Sequence, residues 1–364
     1  MTAARVDQWL PALHRGDAIG DSAFHIRDHL RCRGFQSNLY ALTVDRGVDG
    51  LPMDAFDGSA DAVILHFALP SPLSERLRHF PGRRAIIYHN ITPAHYFEPY
   101  SHKLARMCTA GRMEITTLVE FVDLALADSE YNRLELDVMG FRRTGEFPIF
   151  MDLSRYEAGS CGALRRHLRD GRRNILFVGR VVPNKRIEHL IKAAFYYRKF
   201  ISPRVRLIVV GKDTLLPAYS RSLRKLAGDL MLSSEDVVFT GHVTHEELVT
   251  CYRNSHCFLS LSEHEGFCVP LIESMVFDVP IVALARGAVP FTLGGAGLLL
   301  ESPDAAEVAE AVSDVCENEE LREGILEAQR ERLEYFRTER LERLLDEYVD
   351  ELLGSGGRAP AARC

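Results

Sequence analysis

A chain of 364 residues, 46% of them hydrophobic, is too long for one typical domain and long enough for two, each with its own core. A formal net charge of −7 argues against a nucleic-acid binder. No apolar run approaches the roughly 18 residues of a membrane span, and no charged-then-apolar leader opens the chain, so a soluble, cytoplasmic protein is expected.

Val6 to Leu13 reads as the first strand. Gly16, Asp17 and Gly20 follow, ahead of an amphipathic run with Ala23, Ile26 and Leu30 on one face. Strand, glycine loop and helix start, in that order, can bring backbone amides near a phosphate; Gly-Asp is equally a plain turn and cap. Gly34 ends the helix, Ser37 to Leu42 reads as a second strand, and 45–59 reads as loop. Ala62 to Phe67 is a near-continuous apolar run of the buried parallel type, broken by Pro70 and Pro72.

Arg84 to Tyr88 is a fourth strand, ending in His89 and Asn90. Open α/β sheets place function at the carboxyl ends of strands. His89 is therefore a candidate cleft residue, its other reading being a satisfied strand-end histidine. His66, at the preceding strand end, ranks below it as an acceptor-side candidate. The aromatics and histidines of 93–109 line an acceptor pocket or form a loop packed on the sheet. A helix is expected over 112–121, then a strand from Leu124 entering a helix capped by Asp128 or Ser129. Glycines and arginines over 158–173 read as an interdomain connection with a solvated charged face, with a membrane-surface role as the lesser alternative.

The second half alternates more cleanly. Asn174 to Gly179 is a buried strand, followed by Arg180, a Pro183 turn and Lys185, then a helix with Ile187, Leu190, Ile191 and Ala194 on one stripe. Two cations at a strand's carboxyl end can balance a diphosphate. Strands follow at 205–211 and 237–241, with Thr244 and Glu247 forming a capping box. Cys257 to Leu261 is a short buried strand. Glu265, Gly266, Phe267, Cys268 and Val269 then lead through a tight turn into a helix with Pro270 in its first turn and Glu273 beyond. Such a helix start suits a phosphorylated ligand, and the two acids can address different ends of it. Another strand is expected at 280–284, loops at 286–290 and 294–297, a last strand at 298–300, and helices over 303–353. The eight scattered cysteines read as buried small hydrophobes, and the histidines and cysteines between His242 and Cys268 lack metal-site spacing, so no metal is expected.

Glu-Gly-Phe-Cys-Val-Pro-Leu-Ile-Glu, from Glu265 to Glu273, resembles the E-x7-E motif of the retaining family 4 glycosyltransferases, with Cys268 where that family usually has Gly. Gly179-Arg180 with Lys185 resembles its G-R-x4-K element, and Tyr88-His89-Asn90 its N-terminal histidine strand end. The resemblance implies a GT-B fold: two Rossmann-like doubly wound domains facing a cleft, with a C-terminal helix crossing back. The expected boundaries are 1–152 for an acceptor-side domain, 153–335 for a donor-binding domain, 336–353 for the crossover helix and 354–364 for a disordered tail. It also implies roles. Glu265 meets the donor sugar, Glu273 the ribose, Arg180 and Lys185 the pyrophosphate, and the Gly266 to Val269 amides the sugar hydroxyls and distal phosphate. Gly16, Asp17 and Gly20 face the phosphates, Val243 lies against the nucleobase, and His89 sits near the anomeric carbon.

The expected function is retaining transfer of a sugar from a nucleotide-diphosphate sugar, foremost a UDP- or GDP-sugar, to a hydroxyl acceptor such as a glycan, lipid-linked sugar or small molecule. The expected route is front-face and independent of metal or other cofactor, since no D-x-D occurs. The alternatives are a GT-B phosphorylase or sugar-nucleotide epimerase, or a non-catalytic sugar-nucleotide or partner binder. The acceptor, oligomeric state and any contact with a membrane surface are not legible.

Overall fold

The computed structural model describes residues 3–354 except 15, 158 and 160, so the expected disordered tail lies, beyond Gly354, outside the described residues. The chain divides into two compact units. The first comprises 1–94, 103–152 and 336–364; the second comprises 95–102 and 153–335.

The first unit is built on β1 (Val6–Leu13), β2 (Leu39–Val44), β3 (Leu51–Pro52), β4 (Ala62–Phe67), β5 (Arg83–Tyr88), β6 (Leu124–Ala127) and β7 (Thr144–Glu146). All pairings are parallel, in the order β3-β2-β1-β4-β5-β6-β7. Its helices are α1 (Ala18–Cys32), α2 (Leu73–His79), α3 (His102–Thr116) and α4 (Glu130–Met139). β4 and β6 are buried at every residue, which is why they read as unbroken apolar runs rather than alternating ones. Ser129 caps α4 by accepting from the Asn132 amide at 3.2 Å, and Gly140 ends it in the left-handed region.

The second unit repeats the plan with β8 (Arg173–Val178), β9 (Val205–Val210), β10 (Val237–Gly241), β11 (Cys257–Ser260), β12 (Ile281–Leu284) and β13 (Leu298–Leu300). Their order is β10-β9-β8-β11-β12-β13, again all parallel. Its helices are α5 (Gly162–Leu168), α6 (Ile187–Tyr196), α7 (Pro217–Asp229), α8 (His245–Arg253), α9 (Val269–Val276), α10 (Val289–Leu293), α11 (Ala305–Glu317) and α12 (Glu319–Leu333). The Thr244–Glu247 capping box forms at the start of α8 as its sequence demands.

α13 (Thr338–Leu353) returns to the first unit. Leu341, Leu345, Val349 and Leu352 lie on one stripe and are buried with Ile26, Leu30, Ile87 and Phe147. Burying those four side chains is worth about 6–12 kcal/mol as an upper estimate. His29 of α1 and Arg33 just past its end add a shared contact to Asp346, at 3.0 and 3.2 Å.

Several elements differ from the sequence reading. β2 begins at Leu39 rather than Ser37, because the Asn38 amide is donated to the Asp7 carboxylate and the Ser37 carbonyl accepts from Arg31. The 45–59 loop contains β3 and a single 3-10 turn. α3 starts at His102, ten residues before the expected helix, with Ala105, Cys108 and Ile115 as its buried side. The aromatic segment 95–102 clusters with the second unit, where the Tyr96 ring lies 5.6 Å from the Arg186 guanidinium and the Tyr100 ring 5.2 Å from Tyr219. Among the described residues no helix is long and apolar enough to cross a membrane.

Candidate active site

In the second sheet the strand order reverses between β8 and β11, and the two loops leaving those strands meet there. After β8 the chain passes Gly179 and Arg180 into a 3-10 turn at Pro183–Lys185. After β11 it passes Ser262 to Phe267 before Cys268, left-handed at φ 69°, starts α9. Buried Asn184 ties the loops together: its side-chain Nδ2 donates to the His264 carbonyl and its backbone carbonyl accepts from the Glu263 amide, both at 2.9 Å. Arg186 donates to Glu263 at 2.6 Å.

This framework brings Lys185 and Glu265 together. Lys185 Nζ reaches both carboxylate oxygens, at 2.5 and 2.6 Å, and the side chains are 17% and 7% exposed. Charges paired this closely in a poorly solvated turn attract strongly, but each has given up much of its water. The Cys268 thiol also bonds Glu265, and burial, with that carboxylate beside it, pushes the thiol well above its ordinary pKa. It behaves as a small packed group, not a nucleophile. Arg180 is exposed and has no ion pair among the described residues, so once Lys185 and Glu265 cancel it is the cation left at the strand end.

Gly287 fixes the Glu265 backbone. It adopts φ +57°, and a Cβ there would lie 2.9 Å from both the nitrogen and the oxygen of Glu265. Beside it, the Ala288 amide donates to the Glu265 carbonyl at 3.0 Å, and buried Thr292 holds the Phe267 carbonyl at 2.6 Å.

Glu273 lies one turn into α9, 7% exposed, with both oxygens engaged. Tyr156 donates to Oε1 and Tyr252 to Oε2, each at 2.7 Å. Burial, then the carboxylate, pushes the Tyr252 phenol well up, so it stays a donor. A ligand hydroxyl meeting Glu273 must share it with two tyrosines. Val243, half-buried, packs against the core that contains Tyr252 and Phe258.

In the first unit the expected site residues are placed differently. The Gly16 amide is donated to Asp21 Oδ1 at 3.1 Å, so that N–H is already occupied by an acid. Asp17 is exposed and makes no side-chain cap, and Gly20 is needed because a Cβ would overlap the His14 carbonyl. Gly20 thus serves close chain packing and Gly16 a left-handed turn at φ +76°, with the Gly16 amide directed to Asp21.

His89 does not present a free nitrogen. Its side chain is 3% exposed, with Nε2 3.0 Å from His66 Nδ1 and Nδ1 3.3 Å from Asp128 Oδ2. Gln8 donates through Nε2 to the Ala23 carbonyl at 3.1 Å, so its Oε1, 2.9 Å from His66 Nε2, must accept from that nitrogen. Burial, and then His89, hold the His66 pKa well below the ordinary value, so His66 is neutral and its Nδ1 accepts from His89 Nε2–H. One further proton lies between His89 Nδ1 and Asp128, whose pKa burial raises. In this arrangement both His89 ring nitrogens are engaged within the first unit, as in the reading of a satisfied strand-end histidine. Asn132 and Asn90 extend the network from Asp128 toward Glu135 and Arg112.

The histidines and cysteines between His242 and Cys268 go to other tasks. His245 bonds the Arg155 carbonyl at 2.7 Å and His256 accepts from the Asn174 amide at 3.0 Å. Among the described residues no group of three or more ligating side chains could hold a metal. Cys108, Cys161, Cys251, Cys257, Cys268 and Cys316 are free thiols. The sequence reading missed Gly287, Tyr156 and Tyr252, none of which carries a local pattern; each acts on an acid far away in the chain.

Residues 165–332, which hold all of the β8–β11 site except Tyr156, match the family model described as Glycosyl transferases group 1. Over 216 residues the chain is 28% identical to D-inositol 3-phosphate glycosyltransferase of Mycolicibacterium smegmatis, covering 58% of this chain and 46% of that one. Over 275 residues it is 25% identical to GDP-mannose-dependent alpha-mannosyltransferase of Mycobacterium tuberculosis, covering 73% of this chain and 68% of that one. The chain thus spans about half the length of the first relative. The structure of Anabaena HepE in complex with UDP-glucose superposes with a TM-score of 0.74 at 16% identity, covering 95% of this chain and 99% of that chain. The fold is GT-B.

Proposed function

We propose that the chain is a glycosyltransferase that moves a sugar, with retention, from a nucleotide-diphosphate sugar to a hydroxyl acceptor. The observation that carries the reading is the Lys185–Glu265 pair, set where the second sheet reverses its strand order and within the matched residues 165–332. The printed names of the relatives, one dependent on GDP-mannose, and of a structural neighbour that holds UDP-glucose support a GDP- or UDP-sugar as donor.

The chemistry follows from charge. The leaving group is a nucleoside diphosphate whose negative charge grows as the glycosidic bond breaks. Arg180, exposed and unpaired, meets that charge first. Lys185 has three donors, two of them on Glu265, so a phosphate oxygen can take the third without breaking the pair. The α9 N-terminus adds amides that point at an anion. Glu265, held by Lys185 and by the backbone at Gly287, accepts from a sugar hydroxyl and fixes the ring. Glu273 accepts from ribose alongside its two tyrosines. In the front-face route the acceptor oxygen attacks from the side of the leaving group. Its proton passes to the departing phosphate oxygen, so neither a protein base nor a metal is required. A double displacement needs a carboxylate on the opposite face of the sugar, and the reading assigns none.

The test is thermal unfolding against UDP, GDP, ADP, dTDP, their sugar conjugates and orthophosphate, followed by NMR of the product's anomeric centre. A ligand that binds only the folded protein raises its melting temperature by mass action. One nucleoside diphosphate should shift the transition, and its sugar conjugate should give a product of unchanged anomeric configuration. A shift with orthophosphate alone would point to a phosphorylase instead, and an inverted product would overturn retention.

A further inference from the structure

The two tyrosines on Glu273 are held in different ways. Tyr252, on α8, is fully buried, and its ring stacks on Phe277 with 5.0 Å between centroids, so the core fixes its bond to Oε2. Tyr156 lies on a 3-10 stretch, Leu153–Glu157, which opens the second unit directly after the first unit's Asp152. The backbone of this stretch is held by α8. His245 donates to the Arg155 carbonyl at 2.7 Å, and Arg253 donates to the Tyr156 carbonyl at 3.1 Å. The Tyr156 ring is buried and stands edge-on to Phe277, 5.6 Å between centroids. Its hydroxyl crosses to α9 and donates to Glu273 Oε1 at 2.7 Å. A segment that enters the second unit thus supplies half of the hold on an acid 117 residues further along the chain.

We propose that Tyr156 is a positioning residue that makes the donor site select ribose over 2′-deoxyribose; this rests on the reading in which Glu273 meets the ribose. A carboxylate offers about four lone-pair sites, two on each oxygen. The tyrosines take one on each, which leaves one on each and fixes the plane of the group. Two acceptor sites side by side suit two donors on neighbouring carbons, the 2′ and 3′ hydroxyls of ribose. The terminal torsion of a glutamate is soft, so its carboxylate keeps one orientation only while both oxygens are held. Without the Tyr156 hydroxyl the group can turn about its bond to Tyr252. It then presents no fixed pair, and a 2′ hydroxyl gains little that a 2′ hydrogen lacks. The diphosphate contacts assigned to Arg180 and Lys185 come from the loop after β8 and are left in place by this change.

The test is calorimetric titration of the parent and of Tyr156→Phe with UDP and GDP, each beside its 2′-deoxy form. Phenylalanine keeps the ring on Phe277 and removes only the donor. The parent should bind the ribonucleotide about tenfold or more tightly than the deoxy form, the worth of one hydrogen bond to a charged group. Tyr156→Phe should bind the ribonucleotide several-fold more weakly and the deoxy form nearly as before, so that the ratio falls below about threefold. The ratio is the informative quantity. A variant that is only partly folded loses apparent affinity for both nucleotides by the same factor, and the factor cancels. A purely structural role for Tyr156 would likewise leave the ratio at the parent's value, and that result would overturn the proposal while leaving the donor reading intact. A parent that binds neither diphosphate, or binds the ribo and deoxy forms alike, would overturn the Glu273–ribose contact itself and the proposal with it.

Discussion

Removing Lys185 alone should cost more than removing both charges of the Lys185–Glu265 pair. Lys185→Met keeps most of the side-chain volume but leaves the Glu265 carboxylate, 7% exposed, without its cation. Orphaning one charge of a buried pair typically costs about 3–5 kcal/mol. Lys185 is still 17% exposed, so water can enter the gap it leaves and the lower end, about 3 kcal/mol, is expected. Glu265→Gln leaves a lysine that can turn toward solvent, so about 1 kcal/mol is expected there. In the double variant neither charge is stranded, and the loss should be about 2 kcal/mol rather than the 4 that simple addition gives. The assay is urea unfolding of all four proteins, followed by a probe of the second unit because a two-unit chain need not unfold in one step. A coupling energy under about 0.5 kcal/mol, the ordinary error of additivity, would mean the two charges are solvated independently. That result would refute the claim that Glu265 is held in place by Lys185. All three variants should lose sugar transfer, because fold recovery in the double variant restores neither charge.

Gly287→Ala should lower turnover more than nucleotide affinity: a left-handed alanine costs about 1–2 kcal/mol, and its Cβ displaces the Glu265 backbone while leaving Arg180 untouched. Comparing kcat with the Kd for the nucleoside diphosphate checks this, and an equal fall in both would contradict it. Tyr252→Phe removes a donor from the buried Glu273 carboxylate and should destabilise the second unit by about 1.5–3 kcal/mol, measured by thermal or urea unfolding. His66 sets a pH dependence. Burial, then His89, lower its folded pKa well below that of the unfolded chain, so the unfolded state binds the extra proton. The stability it contributes is full above about pH 6.5 and is lost as pH falls from there toward its folded pKa, at up to about 1.4 kcal/mol per pH unit. His66→Gln should flatten that slope in the first unit; an unchanged slope would mean His66 titrates normally.

The division between what was legible in the sequence and what was not follows the range of the interactions. The β8 and β11 loops were legible because each is a local strand–turn–helix whose apolar run, Pro position and cap are contiguous. The sheet then brings them together as neighbours, so a cation in one and an acid in the other meet through β8–β11 pairing alone. Helix boundaries set by buried spacing were readable where polar residues punctuated them. They failed at α3, where the aromatics and histidines of 95–102 led straight into the helix and hid its start.

The first unit was harder for a different reason. The fate of His89 is decided by Gln8, His66 and Asp128, which sit on β1, on β4 and just past β6 and are distant in the chain. Residue type placed His89 correctly at a strand end, but whether its nitrogens face a ligand depends on hydrogen bonds no local pattern encodes. The same holds for Glu273. Its seven-residue spacing from Glu265 was visible, whereas the hydroxyls of Tyr156 and Tyr252 that hold its two oxygens come from either side of the β8–β9–β10 segment. A strand-end acid or histidine is therefore a candidate on its position alone. Its proposal as a ligand contact is stronger once its own partners are counted: Arg180 is exposed and makes no ion pair among the described residues, whereas both ring nitrogens of His89 are engaged.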